Sequence, residues 1–441
     1  MTRAMKDSGI EWIGEIPEGW HLSRLGWCLD EIKEKNDPIK TTNVLSLTNK
    51  LGVIPYEEKG NQGNKAKEDY SQYGLAFENT LVINSMNVLI GSVGISKYYG
   101  CVSPVYYVFK NTDKADLRFI NYLFQNVGFQ KELRKYANGI LEIRLRISSH
   151  DMLRRIIPLP DIREQKSVCD YLDVECARID AVIEQTRASI EEYKKLKQSV
   201  ITQAVTKGIR PGRKMKDSGV EWIGVVPEEW VVTKLKYFSS IRPGITLGKT
   251  YPRDTKLVEY PYLRVANVQG SYTDLTDVAT IFVTEEEAEK YQLHDGELLM
   301  TEGGDRDKLG RGTVWHAEID PCLHQNHVFA LTTNDDLSAE YVSFLSASLV
   351  GRDYFEVTAN QSVHLASTNS TTIMNFTIPV PSIEEQNEIV SYLTEKIEEL
   401  EKLIAKKQAL ISDLEYYKKS LIFEYVTGKK EVVKGDTECQ I

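Results

Sequence analysis

The stretch MKDSGIEWIGEIPEGW at residues 5–20 decides the organisation of this chain, because it returns as MKDSGVEWIGVVPEEW at residues 215–230. Two Trp, two Gly and a Pro recur at the same spacing, with an offset of 210 residues. A second match, IPLPDIREQKSVCDYL from Ile157 and IPVPSIEEQNEIVSYL from Ile378, has an offset of 221 and continues to AVT at Ala204 and YVT at Tyr425. Repeats on this scale indicate a tandem duplication. We call residues 5–20 and 215–230 the tags.

The length and composition set the class of protein. At 441 residues, with 41% hydrophobic and 27% charged residues, the chain is long enough for two or three domains. No apolar run is long enough to span a membrane, and the N-terminus lacks the apolar core of a signal peptide. The six cysteines are scattered and show no zinc-site spacing: Cys28, Cys101, Cys169, Cys176, Cys322 and Cys439. We therefore expect a reduced, cytoplasmic protein without a metal site.

The long repeats are predicted to be helices. Apolar residues recur at threes and fours in both copies, and neither contains Pro or Gly between its opening Pro-x-Pro and a Gly suited to a helix end (Gly208, Gly428). Asp161 and Ser382 stand at N-cap positions, each followed three residues later by Glu, which predicts a capping box. A helix of about 45 residues is roughly 65 Å long. Two such helices bury their apolar seams most simply as an antiparallel coiled coil; two separate surface helices are the alternative.

The variable blocks, 21–156 and 231–377, are predicted to be globular and are called the heads. Runs rich in Val, Ile and Tyr between Gly and Asn predict strands, and LRFINYLFQNVGFQKELRKYA and AEYVSFLSASLVGRDYF predict helices. The fold class is therefore α+β, with two heads separated by two long helices and a pseudo-twofold internal repeat. The predicted divisions are residues 1–156, 157–208, 209–377, 378–428 and a tail at 429–441.

Charge distinguishes the two heads. Residues 19–160 carry a formal net charge of +5, whereas residues 230–381 carry −8. A basic surface suits phosphates, so the first head fits nucleic acid better than the second. The acidic second head is the reason to keep a hypothesis without DNA contact.

Loop residues of the types that read base edges or bind phosphates are the candidate DNA-binding residues. Arg pairs with guanine and Asn or Gln with adenine, while Lys and Ser suit phosphates. The candidates in the first head are Asn43, Asn49, Lys50, Asn64, Lys65, Lys67, Ser92 and Lys97, and those in the second are Arg264, Asn267, Gln269, Arg306, Lys308, Arg311, Gln325 and Asn326. A solvated loop residue is the competing interpretation of each one.

Catalytic signatures fail on inspection. PDIREQK at residues 160–166 superficially matches a metal-dependent nuclease, but its second copy, PSIEEQN, has lost the Asp and the Lys. Ser, His and Asp stand side by side at residues 149–151, whereas catalytic triads assemble from distant segments. GGDRDKLGRG lacks the Lys-Ser/Thr ending of a phosphate-binding loop. No catalytic residue is therefore predicted.

The two tags, followed by IPLPDIREQ and IPVPSIEEQ opening long helices that end in AVTKG and YVTGK, resemble the specificity (S) subunits of type I restriction–modification enzymes. The resemblance covers essentially the whole chain. It implies two target-recognition domains that read the halves of a bipartite, asymmetric sequence in double-stranded DNA, with the helices as spacer. It also implies two methyltransferase (M) subunits and restriction (R) subunits as partners, which carry S-adenosylmethionine, ATP and Mg, so that this chain needs no cofactor.

Partner docking is assigned to the apolar residues of the tags, since two identical fittings suit two identical partners. The candidates are Trp12, Ile13, Trp20, Trp222, Ile223 and Trp230, with a role in the core as the alternative. Three hypotheses for the whole chain remain open: a non-catalytic DNA specificity subunit, a coiled-coil protein-interaction adaptor without DNA contact, and a self-contained nuclease or methyltransferase.

Overall fold

The structure is a computed structural model that describes residues 3–48, 51–60, 69–139, 145–304, 309–310, 312–361 and 366–432. The chain divides into two compact units: the first comprises Met1–Arg187 with Ala409–Ile441, and the second comprises Ala188–Gln408. This division falls inside both long helices, so each unit holds one tag, one head and a piece of each helix.

The two long helices and four shorter ones lie in the stretches predicted to be helical, whereas the helices at Ser149–Leu153, Glu285–Tyr291 and Ser370–Met374 were not predicted. They are α1 Leu117–Gln125, α2 Val127–Arg134, α3 Ser149–Leu153, α4 Ile162–Lys207, α5 Glu285–Tyr291, α6 Ala339–Ala347, α7 Leu349–Thr358, α8 Ser370–Met374 and α9 Ile383–Val426. At 1.5 Å per residue, the 46 residues of α4 and the 44 of α9 are about 69 and 66 Å long. Short 3₁₀ turns, Leu25–Trp27 and Leu235–Tyr237, follow the tags.

The described strands are short, and all but one of their pairings are antiparallel. The first unit contains β1 Met5–Asp7, β2 Glu15–Pro17, β3 His21–Arg24, β4 Leu29–Ile32, β5 Leu45–Thr48, β6 Gly52–Pro55, β7 Gly74–Ala76, β8 Leu81–Asn84, β9 Val93–Ile95, β10 Gly100–Val102, β11 Tyr106–Asn111 and β12 Ile156–Leu159. The second contains β13 Met215–Asp217, β14 Val225–Pro227, β15 Val231–Lys234, β16 Ser239–Pro243, β17 Val258–Leu263, β18 Ala279–Val283, β19 Leu298–Thr301, β20 Gly303–Gly304, β21 Gly312–Val314, β22 Leu323–His324, β23 Val328–Thr333, β24 Asn360–Gln361, β25 Ala366–Ser367 and β26 Thr377–Val380. The exception is the parallel pair β17–β22.

The two units share one sheet plan. Each tag forms a hairpin, β1–β2 or β13–β14, and the next strand pairs with the one just before a long helix, β3 with β12 and β15 with β26. Each head has a four-stranded sheet, in the order β4-β11-β8-β9 in the first unit and β16-β23-β19-β21 in the second. The duplication seen in the tags and long repeats therefore extends through heads whose sequences resemble each other little.

The ends of the long helices follow the sequence signals. The Asp161 carboxylate accepts from the backbone N–H of Glu164 at 3.0 Å, and the Ser382 hydroxyl accepts from that of Glu385 at 3.4 Å, so both are N-caps as predicted. Gly208 and Gly428 end α4 and α9 with φ of +72°, a left-handed conformation that favours glycine.

Within each unit the two helix pieces run antiparallel, as predicted. In the first unit Asp180 pairs with Lys418 at 2.7 Å and Arg187 with Glu415 at 3.1 Å, so the numbering rises along α4 as it falls along α9. In the second unit Lys197 pairs with Glu401 at 2.5 Å. The alternative of two separate surface helices is excluded.

Candidate functional site

The tag of the first unit is fixed by its second tryptophan. Trp20 is buried, and its indole N–H donates to the Glu164 carboxylate at 2.9 Å. Arg3 pairs with the same carboxylate at 2.6 Å and lies over the Trp20 ring, 5.5 Å from its centroid. The carboxylate at the third position of the helix thus binds the tag. Gly428, at the end of α9, lies so close to Pro17 that a Cβ there would be 2.5 Å from the ring.

The second unit repeats this arrangement with a stronger ion pair. The Trp230 indole N–H donates to Glu385 at 3.2 Å, and Arg213 forms two hydrogen bonds with the same carboxylate while lying 5.7 Å from the ring centroid. Both charged side chains are nearly buried, with 10% of Arg213 and 5% of Glu385 exposed. The hydrogen bond to Glu385 raises the pKa of Arg213, which therefore stays charged. Sequence analysis missed Arg3 and Arg213, although the offset of 210 that relates the tags also relates these two residues, each two positions before its tag.

A buried glutamine joins each head to its long helix. The Gln165 amide accepts from the backbone N–H of Asp116 at 2.8 Å and donates to the carbonyls of Lys114 and Pro160 at 3.0 and 2.9 Å. Gln386 makes the same three bonds, accepting from Ser338 at 2.8 Å and donating to the carbonyls of Asp336 and Pro381 at 2.9 and 3.0 Å. Sequence analysis missed this clamp, although Glu-Gln is kept in both IREQ and IEEQ.

The structure places most of the predicted docking residues inside the protein. Ile13, Trp20, Ile223 and Trp230 are buried in the cores of their units, so the core role accounts for these four. Trp12 is half-buried against Phe129, with ring centroids 5.4 Å apart, and Trp222, 39% exposed, lies 6.1 Å from Tyr354. Docking therefore stays a prediction for Trp12 and Trp222 alone.

In the first head the described candidates divide into exposed and buried. Asn43 is exposed and its amide donates to the Tyr99 carbonyl at 2.8 Å, which holds it close to the turn that carries the exposed Lys97. Lys97 lines a groove of about 620 Å³ together with Lys166. Ser92 is buried, and this rules out its predicted contact with DNA in this conformation. Asn49, Lys50, Asn64, Lys65 and Lys67 lie outside the described residues.

In the second head the parallel strands β17 and β22 bring candidates together. Leu263 pairs with His324, so the residues that follow them, Arg264 and Gln325, leave adjacent strands side by side, with Asn326 next to Gln325. Gln325, Asn326 and Gln269 are half-buried. Arg306, Lys308 and Arg311 lie outside the described residues.

Two of these candidates are engaged within the protein. Asn267 is buried: its side chain accepts from the Arg264 backbone at 2.8 Å and donates to the Asp274 and Asp277 carbonyls at 2.8 and 3.0 Å. Its predicted base contact is thereby corrected to a role in holding the turn. Arg264 pairs with Asp277 at 2.8 Å, and the predicted contact with guanine requires that exposed pair to open.

The residue before Gln325 is a buried histidine, His324. The His324 Nδ1–H donates to the Val328 carbonyl at 2.7 Å, while Nε2 is buried and has no hydrogen-bond partner among the described residues. The pKa of His324 is lowered to about 4, mainly by burial and also by the Arg242 cation. The hydrogen bond to the Val328 carbonyl and the Glu297 carboxylate each raise it in part. The ring is therefore neutral at pH 7.

The negative charge of one helix in the second head is partly neutralised. Helix α5 carries acidic residues at 285–287 and 289. Lys256 pairs with Glu285 at 2.9 Å, and Lys249 and Tyr251 both bond Glu287, which lowers the pKa of that carboxyl. Helix α5 together with Lys249 and Lys256 carries a net charge of only −1, so most of the −8 of this head lies elsewhere in it.

The described residues offer no catalytic or metal centre. No group of three or more His, Cys, Asp or Glu side chains placed to hold a metal ion occurs among them. Burial raises the pKa of the Cys322 thiol to about 12 and that of Cys176 to about 11, so neither is a reactive thiolate. No helix among the described residues is long and apolar enough to cross a membrane.

A family model matches part of the second unit. Residues 227–411 match the family model described as "Type I restriction modification DNA specificity domain". These residues are therefore similar to a type I DNA specificity domain. This confirms the resemblance predicted from the tags and the long repeats.

Curated relatives agree with that family. The chain is 25% identical over 175 residues to a putative type I restriction enzyme MjaX specificity subunit of Methanocaldococcus jannaschii, covering 39% of this chain and 40% of the relative. It is 23% identical over 274 residues to the EcoKI specificity subunit of Escherichia coli K12, covering 62% and 56%, and 23% identical over 448 residues to the MjaVIII specificity subunit of M. jannaschii, covering 95% and 94%. The chain therefore spans about half the length of the first two relatives and nearly all of the third.

Two solved structures share the fold. One, described as the structural basis of complex assembly and conformational transition of the type I R–M system, has a TM-score of 0.70 and 15% identity and covers 94% of this chain and 99% of its own. The other, an HsdS subunit from Thermoanaerobacter tengcongensis, has a TM-score of 0.53 and 15% identity, with coverage of 94% and 98%. The predicted α+β fold class with two paired long helices is confirmed.

Proposed function

We propose that the chain is the non-catalytic specificity subunit of a type I restriction–modification enzyme and acts in the cytoplasm on double-stranded DNA. Each head reads one half of a bipartite, asymmetric target, and the paired helices set the gap between the halves. The observation that carries this proposal is the match of residues 227–411 to a DNA specificity domain, combined with the repetition of the same frame in the first unit.

The chemistry is assigned to partner subunits. Two methyltransferase subunits bring S-adenosylmethionine, and restriction subunits bring the ATP- and Mg-dependent steps. The internal repeat supports two copies of one partner, because a duplicated frame presents the same surface twice.

Polar side chains at two strand ends support DNA contact by the second head despite its acidity. Since Glu285 and Glu287 already pair with Lys256 and Lys249, the acidic helix is a self-contained feature. The polar cluster of Arg264, Gln325 and Asn326 lies at the ends of β17 and β22, where amide and guanidinium groups suit base edges. The acidity of the second head remains the one observation that favours the adaptor hypothesis.

Duplex selection tests the proposal. The chain, assembled with its methyltransferase partner, is used to select duplexes from a random library, and binding is then measured with either half-site scrambled. We expect the loss of either half to weaken binding by at least about 100-fold, because several mismatches at 1–3 kcal/mol each add up. Equal affinity for target and scrambled duplexes would support the adaptor hypothesis instead.

A matched pair of variants localises the second reader. Gln325→Ala is expected to reduce discrimination in one half of the target, since a good base contact contributes about 1–3 kcal/mol of discrimination. Gln203→Ala, on the exposed face of α4, is the control and is expected to change nothing. A loss of affinity that is uniform across sequences would identify Gln325 as a backbone contact.

A further inference from the structure

An exposed tryptophan stands just after the first tag. Trp27 is the last residue of the 3₁₀ turn Leu25–Trp27 and leaves 56% of its surface in solvent. The guanidinium of Arg24 and the ammonium of Lys114 lie 5.8 and 5.9 Å from its ring centroid. A large aromatic surface flanked by two cations is unusual on a chain with a formal net charge of −10.

The same turn in the second unit presents the same kind of surface. Tyr237 ends the turn Leu235–Tyr237, is 66% exposed, and has the ammonium of Lys236 5.3 Å from its ring centroid. We call Trp27 and Tyr237, each with its neighbouring cations, the aromatic plates.

The two plates are equivalent by backbone hydrogen bonding. A leucine opens each turn, and its backbone N–H donates to the carbonyl of the residue just before β12 or β26. Leu25 donates to Arg155 and Leu235 to Phe376, both at 2.9 Å. The residue after the aromatic ring donates back to that leucine, at 2.9 Å in the first unit and 3.0 Å in the second. The offset of 210 that relates the tags therefore extends to Trp27 and Tyr237.

Recurrence argues for a function that both halves share. Single exposed apolar residues need no explanation, but two at equivalent positions of otherwise divergent heads do. Reading the halves of an asymmetric target requires the heads to differ, so a feature common to both does not serve base readout. The shared aromatic residue therefore suits a ligand that binds the chain in two copies, one at each unit.

We propose that the aromatic plates are docking points for an acidic surface patch on the methyltransferase subunit, one copy on each plate. This rests on the proposed function and names the residues that carry part of it. Tryptophan, tyrosine and arginine dominate the binding energy of protein interfaces. An aromatic ring with cations beside it matches carboxylates bordering an apolar pocket.

Aliphatic residues around the first plate favour a protein over the DNA backbone. Arg24 pairs with Ile156 across the β3–β12 ladder, so both side chains lie on the ladder face that also carries Leu22. Leu22 and Ile156 are both more than one-third exposed. Phosphate contacts need cations but no aliphatic surface.

The experiment counts partners. Full-length chain is mixed with the cognate methyltransferase subunit and the ratio is measured by native mass spectrometry, for the unaltered chain, Trp27→Ala, Tyr237→Ala and the double variant. We expect the unaltered chain to bind two methyltransferase subunits, each single variant to bind one, and the double variant to bind none. The reason is that each truncation raises the dissociation constant at one site more than about tenfold. High salt is expected to weaken both sites.

Controls separate docking from folding and from DNA contact. Trp27→Phe keeps an aromatic plate and is expected to bind two partners, as is Tyr272→Ala, which removes a tyrosine that is 60% exposed elsewhere in the second unit. Unchanged melting temperatures establish that the variants fold.

Three results would overturn the proposal. Two partners on the double variant would show that the plates do not dock them. Two partners combined with weaker duplex binding, equal for all sequences, would assign the plates to the DNA backbone. If the unaltered chain bound no methyltransferase subunit, the proposed function itself would fail, and this proposal with it.

Discussion

His324 makes the second unit sensitive to acid, and the size of the effect follows from its surroundings. The ring is fully buried, its Nδ1–H donates to the Val328 carbonyl, and its pKa lies near 4 rather than 6.5. Protonation would place a charge on Nε2, which has no hydrogen-bond partner among the described residues. The unfolded chain therefore binds a proton at a higher pH than the folded one.

The sign and magnitude can be worked out directly. Since the folded pKa is depressed, the stabilisation is complete above about pH 6.5 and is lost as the pH falls towards 4. The pKa of His324 falls from 6.5 in the unfolded chain to about 4 in the folded one. At about 1.36 kcal/mol for each pH unit, the free energy of unfolding decreases by about 3 kcal/mol between pH 7 and pH 4. That is a large share of the stability of an ordinary domain.

Denaturant unfolding from pH 7.5 to pH 4 tests this with a matched variant. His324→Asn keeps an N–H donor near Nδ1 but does not titrate, so its unfolding free energy should fall less than that of the unaltered chain by about 3 kcal/mol. His316→Asn, whose side chain is 61% exposed, is the control and should follow the unaltered profile. If the His324→Asn profile ran parallel to that of the unaltered chain, the buried, neutral imidazole would be refuted.

Two further predictions concern the frame of the second unit. Gln386→Leu removes three hydrogen bonds to backbone groups and should lower the free energy of unfolding by about 3 kcal/mol or more. The control Gln203→Leu, on the exposed face of α4, should change it by less than about 0.5 kcal/mol. Equal effects of the two variants in denaturant unfolding would show that Gln386 does not stabilise the unit. Arg213→Met leaves the nearly buried Glu385 carboxylate without its cation and should cost about 3–5 kcal/mol. Adding Glu385→Gln removes the unpaired charge and keeps an oxygen that accepts from the Trp230 indole N–H, so it should restore most of that loss. A double variant no more stable than the single would contradict the ion-pair explanation.

The repeated parts of the chain were predictable because their signals are local. Helix periodicity, the caps Asp161 and Ser382 and the terminal Gly208 and Gly428 each act within a few residues of their own position, and all lie where the sequence predicted them. The antiparallel pairing followed from two apolar seams that could cover each other.

The heads were less predictable because their contacts are not local. The parallel pair Leu263–His324 joins strands about 60 residues apart, and no turn residue signals it. Ser92 and Asn267 were assigned to DNA on residue type, yet both are buried, and Asn267 satisfies backbone groups of its own turn. Residue type indicates what a side chain can bind, whereas only the packed structure shows whether it is already engaged.

Methylation mapping after a head exchange tests the central claim that each head reads its own half of the target. Residues 21–156 are replaced by the first head of another specificity subunit, the chain is expressed with its methyltransferase partner, and methylated adenines are mapped across the host genome. We predict that one half of the methylated motif changes while the other half and the gap between them stay the same. A motif in which both halves change, or neither does, would contradict the account.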